Sequence, residues 1–307
     1  MNKTGVQIEH FPHSRNYDYE VVCGITHTEF PIEYEIPREN TGFLRNQKFD
    51  DCVANVLAQL SEAFWNKELN TNEKHSEQFI YGGLRNEYST SPGMLVSTTM
   101  ELWNQIGVVP QKYFNVPGEM PELKKIVAKF PELFDIAKKY RISGFVQIKS
   151  TGKSNKDLQI KDALMTTQRG LVVVSPKGFS GGSHCIMLTG WNDNNNKYKF
   201  KNSWGEKYGD KGFSEIDKSK ISEVYMPIFQ PIKLGFKDVS KDDWFYDDVK
   251  HVHFSGVMQG TSSETFEPLR PVIRAELSAV VNRILKIMDE RFDVLDRVLA
   301  EKDELKS

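Results

Sequence analysis

The spacing of apolar positions changes near residue 141, and this change predicts two lobes of different kinds. Before it, apolar side chains recur three and four positions apart, which is typical of amphipathic helices. The predicted helices span residues 52–66, 76–88 and 95–106, with two shorter surface helices in 121–140. After it, short β-prone runs alternate with turn residues, which is typical of strands. The predicted strands span residues 145–148, 171–175, 184–190, 198–202 and 212–216.

Composition limits the class of protein. A chain of 307 residues exceeds the usual size of a single domain, so two domains are expected. A net charge of −2 argues against a nucleic-acid binder, and no apolar run is long enough to span a bilayer. Three cysteines give no obvious disulfide framework. The N-terminus lacks the apolar run of a signal peptide.

Four residues carry the candidate chemistry. A cysteine attacks a carbonyl as its thiolate, so it needs a base for its proton and a group that holds the base. Cys52, His184 and Asn202 are of the required types and follow in that order. Gln47, five residues before the cysteine, can donate a hydrogen bond to the oxygen that becomes negative. Singly, each has an ordinary interpretation as a buried thiol, a core histidine or a turn amide, but the combination favours catalysis.

Spacing and flanking motifs extend this interpretation. His184 and Asn202 follow Cys52 by 132 and 150 residues, inside the window of roughly 130 to 150 for papain-type enzymes. The run Asn-Ser-Trp-Gly at 202–205, the run Gly-Gly-Ser-His at 181–184, and the segments 76–79 and 91–94 also match. Over roughly residues 10–230 the chain resembles the papain-like cysteine peptidases. The resemblance implies a papain-like α+β fold, in which the strands form an antiparallel sheet or barrel lobe, and it implies no cofactor and no metal.

The same resemblance assigns two further residues and exposes two departures. Gly93 corresponds to the substrate wall of the cleft, and Trp204 is expected to cover the contact between Asn and His and to border the substrate.

The loop from Gln47 to Cys52 is one residue shorter than in the family, and Asp50 and Asp51 replace small neutral residues. As a helix N-cap, Asp51 satisfies N–H groups, but its carboxylate also opposes formation of the neighbouring thiolate.

Residues 1–46 are predicted to form an extended lead segment. Prolines at positions 12, 31 and 37 break any regular pattern, so residues 10–45 are expected to wrap around the peptidase fold. Family members often carry an inhibitory propeptide of around a hundred residues, and the lead is too short for one. An alternative is that the first 35 or so residues occupy the cleft, which predicts activation on N-terminal trimming.

A second resemblance begins after Pro231. The runs Phe-Lys-Asp-Val at 236–239, Gly-Val-Met-Gln-Gly at 256–260 and Ile-Arg-Ala-Glu at 273–276 resemble the S-layer homology repeat. The resemblance implies a small helical module that binds secondary cell-wall polysaccharide, with Arg274 and Trp244 as candidate contacts. Ile273 replaces the usual Thr. The ordinary alternative for Arg274 is an ion pair with an acidic neighbour on a solvated face.

The last helix is predicted to continue to about residue 303. Its apolar residues alternate by four and three positions, as in a heptad seam: Val281, Leu285, Met288, Phe292, Leu295 and Leu299. The seam either packs on the peptidase domain or joins copies of the chain. A homotrimer would bring together three repeats, the number that the family uses.

These observations define domains and three function classes. The domains are a peptidase domain at 1–230, the repeat at 236–285 and a C-terminal helix at 286–307. The leading hypothesis is a cysteine endopeptidase tethered to cell-wall polysaccharide or a surface layer. The alternatives are a hydrolase of peptidoglycan peptides with the same chemistry and a non-catalytic wall-binding protein. The repeat suggests the cell surface or secretion, whereas the missing signal peptide leaves release by lysis, another export route and the cytoplasm open.

Overall fold

The contacts within the chain divide it into two compact units. A computed structural model describes residues 6–7, 17–84, 93–116, 122–150, 155–179 and 182–304. The first unit comprises Met1–Phe64 and Glu73–Phe229, and the second comprises Trp65–Asn72 and Gln230–Ser307. No helix in the described part of the chain is both long enough and apolar enough to cross a membrane.

The helices include every helix that the apolar spacing predicts. They are α1 (Tyr19–Val22), α2 (Cys52–Leu69), α3 (Glu77–Gly83), α4 (Val96–Gln105), α5 (Glu122–Ala128), α6 (Glu132–Ala137), α7 (Lys156–Thr167), α8 (Tyr246–Ser255) and α9 (Arg274–Glu304). The predicted helix over 76–88 is observed as α3, and residues 85–92 lie outside the described part. Helix α7 was not predicted from the sequence.

The strands form one large and one small sheet. They are β1 (Val6–Gln7), β2 (Tyr17–Asp18), β3 (Glu33–Glu35), β4 (Met94–Leu95), β5 (Gly144–Gln147), β6 (Leu171–Phe179), β7 (Gly182–Asn192), β8 (Lys197–Lys201), β9 (Phe213–Asp217) and β10 (Glu223–Ile228). The large sheet has the order β2-β5-β10-β6-β7-β8-β9, with β3 also paired to β7. Its pairs are antiparallel except β2 with β5. The predicted antiparallel lobe is confirmed.

Helix α2 forms the centre of the helical lobe. Its residues from Cys52 to Trp65 are all buried, which explains why polar side chains are few in this run. The next helix, α3, begins where the hydroxyl of Ser76 accepts the N–H of Phe79 at 2.9 Å and so caps the first turn. A buried α2 fixes the position of Cys52, its first residue.

The sheet lobe has its own core. Alternate residues of β6, β7 and β8 point into it, among them Val173, Ile186, Leu188 and Phe200. Helix α7 covers this core with Ile160, Ala163 and Leu164, which are completely buried. Because strands β7 and β8 are adjacent and antiparallel, the start of β7 lies beside the end of β8. The candidate base and the candidate Asn occupy those two ends.

The second unit is a small helical module with a long terminal helix. Its core contains Phe236, Val239 and Val249. The carboxylate of Asp238 accepts the N–H groups of Phe266 and Glu267 at 2.9 and 2.7 Å, which closes the loop between the helices. Helix α9 runs as one element to Glu304, as predicted. Its apolar residues are largely exposed within the described part: Leu277, Val281, Leu285, Met288 and Phe292.

Candidate active site

His184 and Asn202 are in direct contact. The Nε2 atom of His184 lies 2.8 Å from Oδ1 of Asn202. His184 is near the start of β7, and Asn202 directly follows β8. The backbone N–H of Asn202 donates to the carbonyl of Gly212 at 2.8 Å. The backbone hydrogen bonding of the sheet therefore continues one residue past β8, to the residue whose side chain contacts the imidazole.

The orientation of the Asn amide determines which nitrogen of His184 carries the proton. The backbone N–H of Ser203 donates to Oδ1 of Asn202 at 2.8 Å. An N–H group can donate only to the oxygen of the amide, so the same oxygen must accept from Nε2–H of His184. The other ring nitrogen, Nδ1, then has a free lone pair, and it has no hydrogen-bond partner among the described residues. This is the form in which an imidazole acts as a base.

Two aromatic rings enclose the imidazole. Trp204 stacks on it with the ring centroids 4.6 Å apart, and Phe179 packs against it edge-on at 4.8 Å. His184 is completely buried. Burial disfavours the charged imidazolium and lowers the pKa of His184 to about 4, although the hydrogen bond to Asn202 opposes this shift. In this closed arrangement His184 is neutral at pH 7.

The segment before Cys52 is paired with the turn that follows Asn202. The N–H of Gln47 donates to the carbonyl of Ser203 at 2.7 Å, and the N–H of Gly205 donates to the carbonyl of Arg45 at 2.8 Å. Gly205 has φ +80°, and a Cβ there would lie 3.2 Å from the side chain of Asn46. The glycine of the Asn-Ser-Trp-Gly run therefore permits the close approach that places Gln47 in the site.

The side-chain amide of Gln47 is already engaged at both ends. Its Oε1 accepts the hydroxyl of Ser203, and its Nε2 donates to the carbonyl of Phe49 at 3.1 Å. The second bond lies within the shortened loop between Gln47 and Cys52. One N–H of the candidate oxyanion donor is therefore directed into its own loop.

Cys52 is the first residue of α2 and is completely buried. Asp51 directly precedes the helix, and its carbonyl accepts the N–H of Asn55 at 3.0 Å. The carboxylate of Asp51 is buried, and its Oδ1 has no hydrogen-bond partner in the described part of the chain. Burial, assisted by the negative charge of Glu77, raises the pKa of Asp51 to about 7. The carboxylate beside the thiol is therefore half protonated near neutral pH.

Buried charges hold the loop that carries Gln47. Arg45 contacts the carboxylates of Glu62 and Glu77 and donates to the carbonyl of His75 at 2.8 Å. From β8, Lys201 donates to the carbonyls of Thr41 and Gly42 at 3.0 and 2.7 Å. Burial lowers the pKa of Lys201 to about 7. The loop is thus attached on one side to α2 and on the other to β8, the strand that directly precedes Asn202.

The remaining predicted residues are Gly93, Trp244 and Arg274. Gly93, with φ +83°, directly precedes β4. In the second unit, the side chain of Trp244 is 85% exposed, and Arg274 is exposed at the start of α9. Among the described residues Arg274 forms no ion pair. Its neighbour Arg270 instead pairs with Glu267 and Glu276.

Three neighbours of the site were not predicted from the sequence. Phe179 lies beyond the predicted end of its strand at residue 175. Ser203 was noted only as a member of the Asn-Ser-Trp-Gly run, and the charge of Lys201 gave no reason to expect a buried side chain. Phe200 faces the core of the sheet lobe, so the alternation of β8 directs Lys201, the next residue, to the opposite face of the sheet, and this was the only available signal. Among the described residues, no group of three or more His, Cys, Asp or Glu side chains could hold a metal ion.

Comparison with solved structures defines the fold. Xylellain, a cysteine protease from Xylella fastidiosa, aligns with a TM-score of 0.57 and 16% identity over 74% of this chain and 96% of xylellain. The procathepsin L2 proteinase from the larval midgut of Tenebrio molitor aligns with a TM-score of 0.56 and 14% identity over 74% of this chain and 78% of its own. These similarities confirm the papain-like two-lobe fold.

Family models match two parts of the sequence. Residues 135–229 match the papain family cysteine protease, and residues 235–278 match the S-layer homology domain. No curated protein matches the chain at a significant level. The chain is therefore a hydrolase of the cysteine protease class. More particularly, it combines a papain-like fold and a match to the papain family over residues 135–229 with a C-terminal S-layer homology domain.

Proposed function

We propose that the protein is a cysteine endopeptidase that cleaves peptide bonds through an acyl-enzyme on Cys52. The observation that carries this proposal is the double hydrogen bond at Oδ1 of Asn202, from the N–H of Ser203 and from Nε2 of His184. It leaves the Nδ1 lone pair of His184 as the base. In this proposal Asn202 is the orienting group and Gln47 the oxyanion donor.

The proposed reaction has two halves. Nδ1 of His184 takes the proton of the Cys52 thiol, and the sulfur attacks the peptide carbonyl. Gln47 stabilises the negative oxygen of the tetrahedral intermediate. The intermediate expels the amine, which takes the proton from His184, and a thioester remains on Cys52. His184 then removes a proton from water, the hydroxide attacks the thioester, and the carboxylic acid and the Cys52 thiol are released.

Covalent labelling tests this mechanism directly. An epoxide inhibitor of papain-like enzymes should attach to Cys52, and the unlabelled protein should digest casein. The matched variants Cys52→Ala and Cys185→Ala separate the two cysteines: only the first should lose labelling and activity. Cys185 is buried, and burial raises its pKa, so it is unsuited to act as a nucleophile. Absence of labelling would favour the non-catalytic alternative.

A second candidate substrate is the peptide part of peptidoglycan. The S-layer homology domain supports this alternative because it suggests delivery of the same chemistry to a cell wall. Parallel digests of casein and purified peptidoglycan distinguish the two. Cleavage of peptidoglycan peptides without cleavage of casein would replace the endopeptidase proposal with the second one.

Tethering to wall polysaccharide is proposed for the second unit. Arg274 and Trp244 are exposed, so both can reach a ligand. We expect Arg274→Ala to reduce co-sedimentation with purified secondary cell-wall polysaccharide. Lys286→Ala, which removes an equal charge from the same helix, should leave it unchanged. An equal loss in both variants would indicate nonspecific charge attraction and contradict the assignment of Arg274.

A homotrimer through α9 is proposed to bring three repeats together. The exposed apolar residues of α9 with heptad spacing support it, because a solvated helix gains stability by burying such a stripe. Light scattering at micromolar concentration tests it, with Leu285→Glu as the disrupting variant and Lys286→Glu as the control on the polar face. A monomeric full chain would contradict the proposal.

A further inference from the structure

Peptide cleavage brings the leaving amine close to His184. In the proposed mechanism this amine takes its proton from the imidazole, and such a transfer requires the two nitrogens to lie about 2.6 to 3.2 Å apart. The residue that supplies the amine is the one that follows the cleaved bond. Its side chain therefore lies against the groups that border the imidazole, and these groups are placed to select the substrate.

Phe179 is one of two aromatic residues that the structure places against His184. Its ring forms a T-shaped contact with the imidazole, with the centroids 4.8 Å apart, and similar contacts with Trp204 at 5.3 Å and Phe200 at 5.8 Å. Trp204 stacks on one face of the imidazole, with an angle of 24° between the two planes. Phe179 therefore closes a different side of the imidazole from Trp204.

An irregularity in β6 brings Phe179 to this position. Ser175 of β6 is paired with His184 of β7, and the next pair is Phe179 with Gly182. Three residues of β6 lie between these two pairs, whereas only one residue of β7 does. The three begin with Pro176, which has no N–H to donate to a regular ladder. Such a bulge re-aims the side chains beside it, and bulges are common next to active sites.

The glycine opposite Phe179 leaves room for its ring. Gly182 has no side chain to compete for the space across from the ring. An aromatic side chain reaches the residue two positions along the facing strand, and His184 has that position relative to Gly182. Phe179 is only partly buried, whereas His184 is completely buried. A substrate that approaches the imidazole therefore meets the ring of Phe179.

We propose that Phe179 is a specificity-determining residue that restricts the residue after the cleaved bond to a small side chain. This inference rests on the proposed function, because it takes His184 as the proton donor to the leaving amine. A small side chain leaves the ring of Phe179 in place, whereas a large one has to displace it. The preferred substrates are therefore chains in which glycine or alanine supplies the leaving amine.

The neighbours of Phe179 make this displacement unfavourable. T-shaped aromatic pairs are favourable beyond the area that they bury. Phe179 forms two such pairs, with Trp204 and Phe200, in addition to its contact with His184. Moving the ring aside loses these contacts, and the loss falls only on substrates with a large side chain after the cleaved bond.

Two peptides that differ only in the residue after the cleaved bond test the proposal. One carries alanine at that position and the other phenylalanine, and kcat/KM is measured for each with the full chain. We expect the unaltered protein to favour the alanine peptide by about 10- to 200-fold, the range in which side-chain size discriminates in an apolar pocket. Phe179→Ala should raise kcat/KM for the phenylalanine peptide and reduce the preference to less than about threefold. Phe179→Tyr keeps a ring and should keep the preference.

Tyr208→Ala is the matched control. Tyr208 is partly buried like Phe179 and packs against the same Trp204, with the centroids 5.2 Å apart. Its described ring contacts are with Trp204 and Phe200 rather than with the imidazole, so its removal should leave the preference unchanged. Equal kcat/KM for both peptides in the unaltered chain would overturn the assignment. An unchanged preference or an equal fall for both peptides in Phe179→Ala would also overturn it.

Alkylation of Cys52 separates this proposal from the peptidase proposal. Iodoacetamide and iodoacetanilide react with a thiol in the same way, but the second carries a phenyl group on its nitrogen. Phe179→Ala should increase the rate of Cys52 alkylation by iodoacetanilide, relative to iodoacetamide, by about tenfold or more. Cys23 is exposed and serves as the internal control. If neither peptide is cleaved, the peptidase proposal fails, and the ratio of the alkylation rates decides on Phe179: an increase supports its role and an unchanged ratio overturns it.

Discussion

The base side and the nucleophile side of the candidate site are built in different ways. His184 and Asn202 occupy neighbouring ends of paired strands, where backbone hydrogen bonds fix their separation. Gln47 lies in a loop that two backbone hydrogen bonds join to the turn after Asn202, and that buried charged side chains such as Arg45 and Lys201 hold at its other contacts. A regular ladder of backbone hydrogen bonds positions a residue by repetition, whereas a loop depends on particular side chains. The nucleophile side should therefore be more sensitive to substitutions outside the catalytic residues.

The largest expected effect is on the base side. His184→Gln removes the proton acceptor while keeping a polar side chain of similar reach. We expect kcat for a fluorogenic peptide to fall by about ten thousand-fold, as for removal of a member of a catalytic triad. Thermal unfolding serves as the control for folding. A loss of less than about tenfold would contradict the assignment of His184 as the base.

The next effect concerns the oxyanion donor. Gln47→Ala should lower kcat by about 100- to 1000-fold, the usual result of removing one such donor. Gln47→Glu has nearly the same shape but lacks the N–H group, so a similar loss would assign the effect to the donor. If both variants retain nearly full activity, the shortened loop holds the amide away from the reacting oxygen. That outcome would show that the strands position the base correctly while the loop leaves the oxyanion donor out of place.

The third prediction concerns stability on the nucleophile side. The folded pKa of Asp51 is about 7, above its ordinary value of 3.8, so the folded state binds the proton more tightly. The resulting stability is complete below pH 4 and is lost as the pH rises through 7. Asp51→Asn should remove this dependence and raise the free energy of unfolding at pH 8, relative to pH 4, by about 4 kcal/mol.

Denaturant unfolding of both chains at the two pH values measures this difference. Other titrating groups are common to both chains and cancel in the comparison. Asp50→Asn is the matched control, since Asp50 lies one residue earlier and is only half-buried. Equal pH dependence in the unaltered chain and in Asp51→Asn would show that Asp51 is ionised in the folded protein.

The smallest effect links the same carboxylate to reactivity. Asp51→Ser removes a negative charge from the N-terminus of α2, where the helix dipole otherwise favours a thiolate. We expect the alkylation rate of Cys52 to rise by about two- to fivefold above pH 7, where Asp51 is ionised, and to change little at pH 5. An unchanged rate at pH 8 would remove the electrostatic role of Asp51.

Much of the fold could be predicted because local pattern and burial agree. The apolar spacing of α2 and α4 and the β-prone runs of β7 and β8 match the surfaces that these elements bury. Helix α7 was missed because its buried face includes Gln159, Lys161 and Asp162, whose polarity hides the apolar repeat. Strand β10 was missed because it contains Pro227, which sequence patterns associate with turns.

The order, types and spacing of the candidate catalytic residues can be read directly from the chain, since these depend on residue identity and position alone. The tertiary structure decided their states. It oriented the amide of Asn202 through Ser203, buried the carboxylate of Asp51, and turned an N–H of Gln47 into its own loop. It also paired β1 with β4, eighty-eight positions away in the chain. These features arise from long-range contacts that set dielectric, hydrogen-bond partners and access, none of which a local pattern encodes.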